Sequence, residues 1–411
     1  MSFLKKALLS LVLICAVSTA RGQSVCNAIA NYKEILECAE SRAPRVINAE
    51  NSLKEKSSQI DIATQFLNPE LSLQSVSENF GSTNNSETDV SLLFPIEWGG
   101  RRSSRKSVAS AEEMKARYEL TFAKAQTRRE VLLKLFRLKQ INEELSVIDE
   151  SISTFSKLVK QYESRPARSP EQEVSLTVFK MAKDEYGLKK IGFSEELGVL
   201  NSYFEVAVGM SVDQINKVSM ASFVWPQAGH SVNLENSPLL TPSILDIESA
   251  KAVLSQEEAH AYPILSVGPS AKFIKDSGRD LQQWGLSISA PLPVFNLNGA
   301  GRRAAQVSVE AAEKKRQLIL HQLELERKRL GDLYSKEVAA LSVSPTTEVL
   351  DQRHKKVETL FLKGLVPSSL VIEAHRSIFE LQKTRNEHQI KALETLLSLE
   401  FMDGKVLGTS L

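Results

Sequence analysis

The most regular feature of the chain is a change of hydrophobic period. Over four short stretches apolar and polar residues alternate. In the last, Trp284, Leu286, Ile288 and Ala290 alternate with Gln283, Gly285, Ser287 and Ser289. The stretch before it sets Leu265, Val267, Ala271 and Phe273 against Ser266, Gly268, Ser270 and Lys272. Earlier, Val90, Leu92 and Phe94 share one face of a strand, and Leu71 and Leu73 one face of another. Period-two alternation predicts strands with one apolar and one polar face. The turn-rich segments GSTNNSE (81–87) and KDSGRD (275–280) join them into hairpins over 69–97 and 263–293.

Elsewhere the period lengthens. From Arg101 to about Glu163 there is no proline, and Leu138, Ile141, Leu145, Ile148, Ile152, Phe155, Val159 and Tyr162 step by three and four. That is the spacing of a coiled-coil seam. About 60 residues in one helix would run roughly 90 Å. The segment RPARSPEQ (165–172) predicts a turn, followed by a helix over about 173–208. Later helices are expected over 301–342, 346–363 and 370–401. Pro345 separates the first two, and KGLVPSS (363–369) is a glycine–proline stop before the third.

The two halves of this pattern are copies. An almost constant shift superimposes Ala43-Pro44 on Ser237-Pro238, Pro69 on Pro263, Leu71 on Leu265 and Pro95 on Pro291. The same shift, with a short insertion in PLPVFNLNGAG, brings Arg101-Arg102 onto Arg302-Arg303 and Gly209 onto Gly404. Internal repetition decides architecture, so the chain divides accordingly. Residues 1–22 are a signal peptide, and 23–209 the first repeat: a helix, the hairpin 69–97 and a long helical hairpin 100–208. An irregular linker (210–236) leads to the second repeat, 237–404, with its hairpin 263–293 and helical hairpin 300–403. Residues 405–411 form a tail.

Composition narrows the function. Charged residues make up 25% of the 411, yet the net charge is +1, so no clustered basic face argues for nucleic acid. Lys5 and Lys6 precede an apolar run from Ala7 to Ala20, the pattern of an export signal cleaved near Ala20 or Gly22. Ile14 before Cys15 argues against lipidation. No later apolar run reaches the roughly 18 residues of a membrane helix, which excludes helical spanning. Export places Cys26 and Cys38 in an oxidising compartment, where a disulfide and two free thiols both remain open. One continuous helix would hold them ~18 Å apart, so a bridge needs a non-helical stretch between them.

Four strands with one apolar face cannot stand alone in lipid, because their outer edges leave backbone groups unpaired. Bacterial barrels need an even number of strands, at least eight, so the chain must pool strands with copies of itself. Three copies give twelve strands and an open lumen; two give a filled bore. Trp98 and Trp284 fall near strand ends, where interfacial aromatics are expected. The competing reading is a soluble pair of hairpins capping a helical bundle.

The motifs NPELSLQSVSENFG (68–81), PIEWGGRR (95–102), PLPVFNLNGAGRR (291–303) and FLKGLVPSSLVIEAHRS (361–377) resemble those of the TolC-type outer-membrane efflux family. The first three are most similar to its CzcC-type branch, which serves heavy-metal efflux pumps. The resemblance covers about 27–404. It implies an α+β chain, with a long α-helical coiled-coil barrel forming a periplasmic tunnel. Its four strands would contribute to a trimeric 12-stranded transmembrane β-barrel in the outer membrane of a Gram-negative bacterium. The implied partners are two further copies of the chain, a periplasmic adaptor, an inner-membrane pump and outer-membrane lipid. Val90, Leu92, Phe94, Trp284, Leu286 and Ile288 would then face lipid.

The resemblance also places the glycine turn, Gly364, Leu365, Val366 and Pro367, at the periplasmic tip where the adaptor docks. Family channels narrow just past it, often at acidic rings; the corresponding positions here are Leu370 and Glu373. Glu171 and Glu173 are weaker candidates. Ser169-Pro170 replaces the glycine turn in the first copy, and Arg165 and Arg168 make that tip more basic. Arg101-Arg102 and Arg302-Arg303 start long helices, against the macrodipole. A headgroup or carboxylate contact, or solvent, would offset that. Gly99, Gly100, Gly299 and Gly301 suit the strand-to-helix bends. The six histidines (230, 260, 321, 354, 375, 388) form no His-x-x-x-His pair, and no phosphate loop or nucleophile motif occurs. Neither catalysis, a cofactor nor a metal site is expected. The remaining alternatives are a type I protein-secretion duct and a periplasmic coiled coil that transports nothing.

Overall fold

The computed structural model describes residues 26, 29, 31–80, 83–218, 224–227, 233–276, 279–345 and 347–405. The expected signal peptide, Cys15, much of the 210–236 linker and most of the tail lie outside them. In chain order the elements are α1 (Tyr32–Arg42), α2 (Pro44–Thr64), β1 (Glu70–Phe80), β2 (Thr83–Ile96), α3 (Arg101–Glu163), α4 (Pro170–Ala207) and α5 (Val212–Ile215). They continue with α6 (Thr241–Ala259), β3 (Leu265–Asp276), β4 (Arg279–Ser289), α7 (Gly299–Val343), α8 (Thr347–Leu362) and α9 (Ser368–Met402). Two compact units cut across the sequence repeat, each drawing on both copies. One comprises 48–121 and 238–323; the other comprises 1–47, 122–237 and 324–411.

The first unit holds the sheet, antiparallel in the order β1-β2-β3-β4. Register turns the alternation of single strands into continuous rows. Leu73, Val90, Ala271 and Trp284 pair in succession, as do Phe94, Val267 and Ile288. The opposite face carries Gln74, Asp89, Lys272 and Gln283 in one row, and Ser72, Ser91, Ser270 and Gly285 in the next. The apolar rows are uncovered in the single chain: Leu71 is 69% exposed, Trp284 77% and Leu286 67%. Trp284 lies midway along β4 rather than near its end, so it belongs to an apolar row and not to an interfacial end. Trp98 packs edge-on against the Tyr262 ring and donates its indole N–H to the Pro263 carbonyl.

The arginines after β2 have backbone carbonyl partners that the sequence did not disclose. Arg102 donates to the Thr64 carbonyl at 2.6 Å and lies 4.0 Å over the Phe66 ring. Arg105 reaches Ala63 O and Gln65 O and pairs with Glu97. Arg101 donates to Tyr262 O at 2.7 Å and His260 O at 3.3 Å. These carbonyls end α2 and α6, where the macrodipole is negative and cations are favoured. A cation poorly placed for its own helix thus serves the ends of its neighbours. Gly99 and Gly100 do take the left-handed region at the bend (φ 63° and 80°), but after β4 that conformation falls to Asn298 (φ 56°), not to a glycine. Its side-chain amide donates to Glu257. A Cβ at Gly301 would lie 2.4 Å from Asn298 Oδ1, so a larger residue there would displace that side chain.

The second unit is helical. Ile35, Leu36 and Ala39 of α1 pack with Leu135 and Ile141 of α3, Phe204 of α4, and Leu393 and Leu397 of α9. Ile148 and Phe155 continue the seam into a second cluster with Phe179, Tyr186, Val371 and Phe379. The one helix expected before β1 is two. Proline disfavours α-conformation in the residue before it, so Ala43 is extended (ψ 125°) and Pro44 opens α2. Because α1 begins only at Tyr32, Cys26 can return to Cys38, and the two form a disulfide with a Cα–Cα distance of 5.3 Å. Among the described residues no helix is long and apolar enough to cross a membrane.

Replacing Cys26 by Ser should cost about 3 kcal/mol, the value for closing a loop of this size. Hydrogen exchange should show faster exchange along α1 than in the parent protein. Identical α1 protection in both would remove the disulfide from the account of stability.

Candidate functional site

The helical unit presents two helix turns side by side. The second ends α8 in a Schellman motif: Leu365 N–H bonds Leu360 O at 3.0 Å and Gly364 N–H bonds Phe361 O at 2.8 Å. Gly364 has φ 71°, the left-handed conformation this motif requires. No atom lies within 4 Å of a Cβ built there, so only backbone strain enforces glycine. The first turn uses different chemistry. Ser169 caps α4 in a reciprocal capping box with Gln172, and Pro170 occupies the first turn of the helix.

Both turns line one hollow of about 520 Å³, whose walls include Tyr162, Arg165, Glu171, Phe361, Leu365 and Val366. A Ser175–Ser368 hydroxyl pair at 3.0 Å ties the two helix starts together. The expected apolar pair divides: Leu365 is 67% exposed, whereas Val366 is half-buried. The expected basic character is also reduced. Arg168 donates to Glu173 at 2.6 Å and to the terminal carbonyls of α3, and Arg165 stacks 4.7 Å over the Tyr162 ring.

Leu370 and Glu373 both stand on the exposed side of α9. Glu373 accepts from Ser377 Oγ at 3.4 Å and lies 4.0 Å from Arg376. Arg376 in turn bonds Glu185 of α4 at 3.1 Å. Partial burial alone would raise the Glu185 pKa, but hydrogen bonds from Lys189 and Arg376 hold it below the usual carboxylate range. This face is therefore a mixed ion network in which Glu373 has a cationic neighbour. Nearby on α4, Val174, Met181, Leu188 and Ile191 are all more than half exposed. Their spacing of seven and three places them along one side of the helix.

Sequence reading missed two histidines that the fold brings together. His354 on α8 and His375 on α9 meet at 2.9 Å, with Glu358 beside both. No local motif could disclose them, because the helical hairpin joins residues from different helices.

No protein-family model matches the chain. It is 25% identical to the cobalt-zinc-cadmium resistance protein CzcC of Cupriavidus metallidurans over 239 residues, 56% of this chain. The match spans about half (55%) of that relative's own length. Similarity of fold extends much further. The outer membrane protein VceC of Vibrio cholerae superposes with a TM-score of 0.68 at 15% identity, over 91% of this chain and 96% of that one. The CmeC outer membrane channel of Campylobacter jejuni gives 0.67 at 12%, over 90% and 85%. The chain therefore shares the fold of these outer membrane channels, mostly helical with one four-stranded antiparallel sheet.

Proposed function

We propose that the chain is the outer-membrane exit duct of a tripartite efflux system, acting as a homotrimer that reaches into the periplasm. The carrying observation is the sheet: two hairpins with continuous apolar rows on one face, polar rows on the other, and an edge at both β1 and β4. Such a sheet meets its hydrogen-bonding requirement in lipid only when neighbouring copies close it into a barrel. Three copies give twelve strands, with the serine, glutamine and aspartate rows facing an aqueous lumen. Val90, Leu92, Phe94, Trp284, Leu286 and Ile288 then face lipid.

The exposed apolar stripe on α4 supports the same assembly, since a periodic stripe on a long helix is what a neighbouring helix covers. A periplasmic adaptor is the partner proposed for the hollow between the two helix turns, with Leu365 as its apolar contact and Gly364–Pro367 as the shape it reads. An inner-membrane pump supplies the energy. Leu370 and Glu373, exposed on α9, are the proposed constriction positions, with Arg376 tempering the carboxylate ring. The likeness to CzcC supports heavy-metal cations as cargo.

Spin labels at Leu286 and Ile288 should be relaxed by lipid-soluble oxygen, and labels at Ser287 and Ser289 by a water-soluble reagent. Equal accessibility of the two sets would remove the strand from a barrel wall. At the tip, Leu365→Asp should abolish efflux without reducing membrane insertion, because the side chain is exposed and supports no core. Gly364→Ala should instead lower thermal stability by about 1–2 kcal/mol, through left-handed strain alone. Unchanged resistance in the Leu365→Asp strain would leave that turn an ordinary helix stop.

A further inference from the structure

We propose that His354, Glu358 and His375 form a binding site for a divalent transition-metal cation of the zinc class, bridging α8 and α9. The site goes beyond the exit-duct reading and does not depend on what the duct carries.

His354 and Glu358 are one turn apart on α8 and project from the same face. His375 comes from α9. The three ligand atoms are separated by 2.9 Å (His354 Nε2 to His375 Nε2), 3.5 Å (His354 Nε2 to Glu358 Oε1) and 3.6 Å (His375 Nε2 to Glu358 Oε1). Tetrahedral coordination at zinc bond lengths sets ligand atoms roughly 3.3 Å apart. The measured separations bracket that value, so a cation fits with shifts of a few tenths of an ångström.

Proton accounting points the same way. Ser151 Oγ is 2.8 Å from Val147 O, the i−4 carbonyl, and a hydroxyl has one proton to give. With that proton committed, Ser151 accepts from His375 Nδ1–H, also at 2.8 Å. The His375 Nε2 atom is then a bare lone pair. Glu150 Oε1 lies 3.5 Å from His354 Nδ1 and favours a proton there, which bares the other Nε2. Two lone pairs and a carboxylate then converge with no proton among them, and a cation resolves that conflict. With both rings neutral, placing a proton between the two Nε2 atoms instead disrupts the Ser151 arrangement or turns a bare Nδ1 toward Glu150.

The surroundings are those of a built site. His354 is 4% exposed and His375 2%, while Ser151 is fully buried. Thr154 Oγ1 donates to Glu358 Oε1 at 3.0 Å and orients the carboxylate. Outer partners of this kind fix ligand tautomer and direction. Two imidazoles and one carboxylate select zinc, cobalt, nickel or copper over magnesium and calcium, which take oxygen ligands. Glu358 also lines a cavity of about 210 Å³ with Thr154, Lys157, Leu158 and Phe361, so the cluster is approached from its carboxylate side. A bound cation would clamp the α8–α9 hairpin about two to three turns before the Gly364 stop.

The test uses the full-length protein in detergent, purified without a polyhistidine tag, stripped by chelator and titrated with Zn²⁺. Retained metal, the absorption of the Co²⁺ form and the thermal midpoint are read. The wild type should hold about one zinc per chain, show tetrahedral cobalt bands and gain thermal stability on binding. Glu358→Gln, at a partly exposed position, should lose at least tenfold in affinity. Ser151→Ala should lose roughly 10–100-fold through tautomer and orientation alone. His388→Gln, away from the cluster, should bind as the wild type does. Absence of retained zinc and of a midpoint shift in the wild type would overturn the proposal. So would undiminished binding in Glu358→Gln, which decides the matter even where His375→Gln fails to fold.

Discussion

A peptide group in hydrocarbon must find a hydrogen-bond partner within the protein, and this requirement is the constraint on which the proposed account rests. The four strands meet it internally only for β2 and β3, which have neighbours on both sides. β1 and β4 each pair on one side within the described chain, while the rows from Leu73 to Trp284 and from Phe94 to Ile288 leave large apolar side chains uncovered. For a single chain the edges are costly in lipid and the apolar rows are costly in water. In the proposed assembly identical copies pair the edges, since a rotation that joins β4 of one copy to β1 of the next repeats around an axis until it closes, and lipid covers the apolar rows.

The helical unit solves a more ordinary problem. Its core is a heptad seam extended by aromatic packing, with Phe155 and Phe179 at the centre of one cluster and Phe204 in the other. Its specific features lie where helices end. Arg168 closes the α3 terminus, Ser169 opens α4, and Gly364 stops α8. The hollow between these turns is thus bounded by capping chemistry, which fixes its shape without filling it.

Much of this was legible in the sequence because it is periodic. Alternation located all four strands, and the proline-free heptad run located α3 from Arg101 to Glu163. Pro345 separates α7 from α8 where expected. What escaped was long-range. Arg101 and Arg102 look misplaced at a helix N-terminus until the fold brings the carbonyl ends of α2 and α6 to them. His354 and His375 look solitary until α8 and α9 fold back on each other. The break at Ala43 did carry a local signal, the proline that follows it. The compact units could not be read from the repeat, because each takes segments from both copies.

The central claim is that the sheet is one third of a barrel. Native mass spectrometry of the protein extracted from membranes in mild detergent addresses it most directly. The account predicts a species of three chains that persists on dilution. A stable monomer or dimer recovered from intact membranes would contradict it.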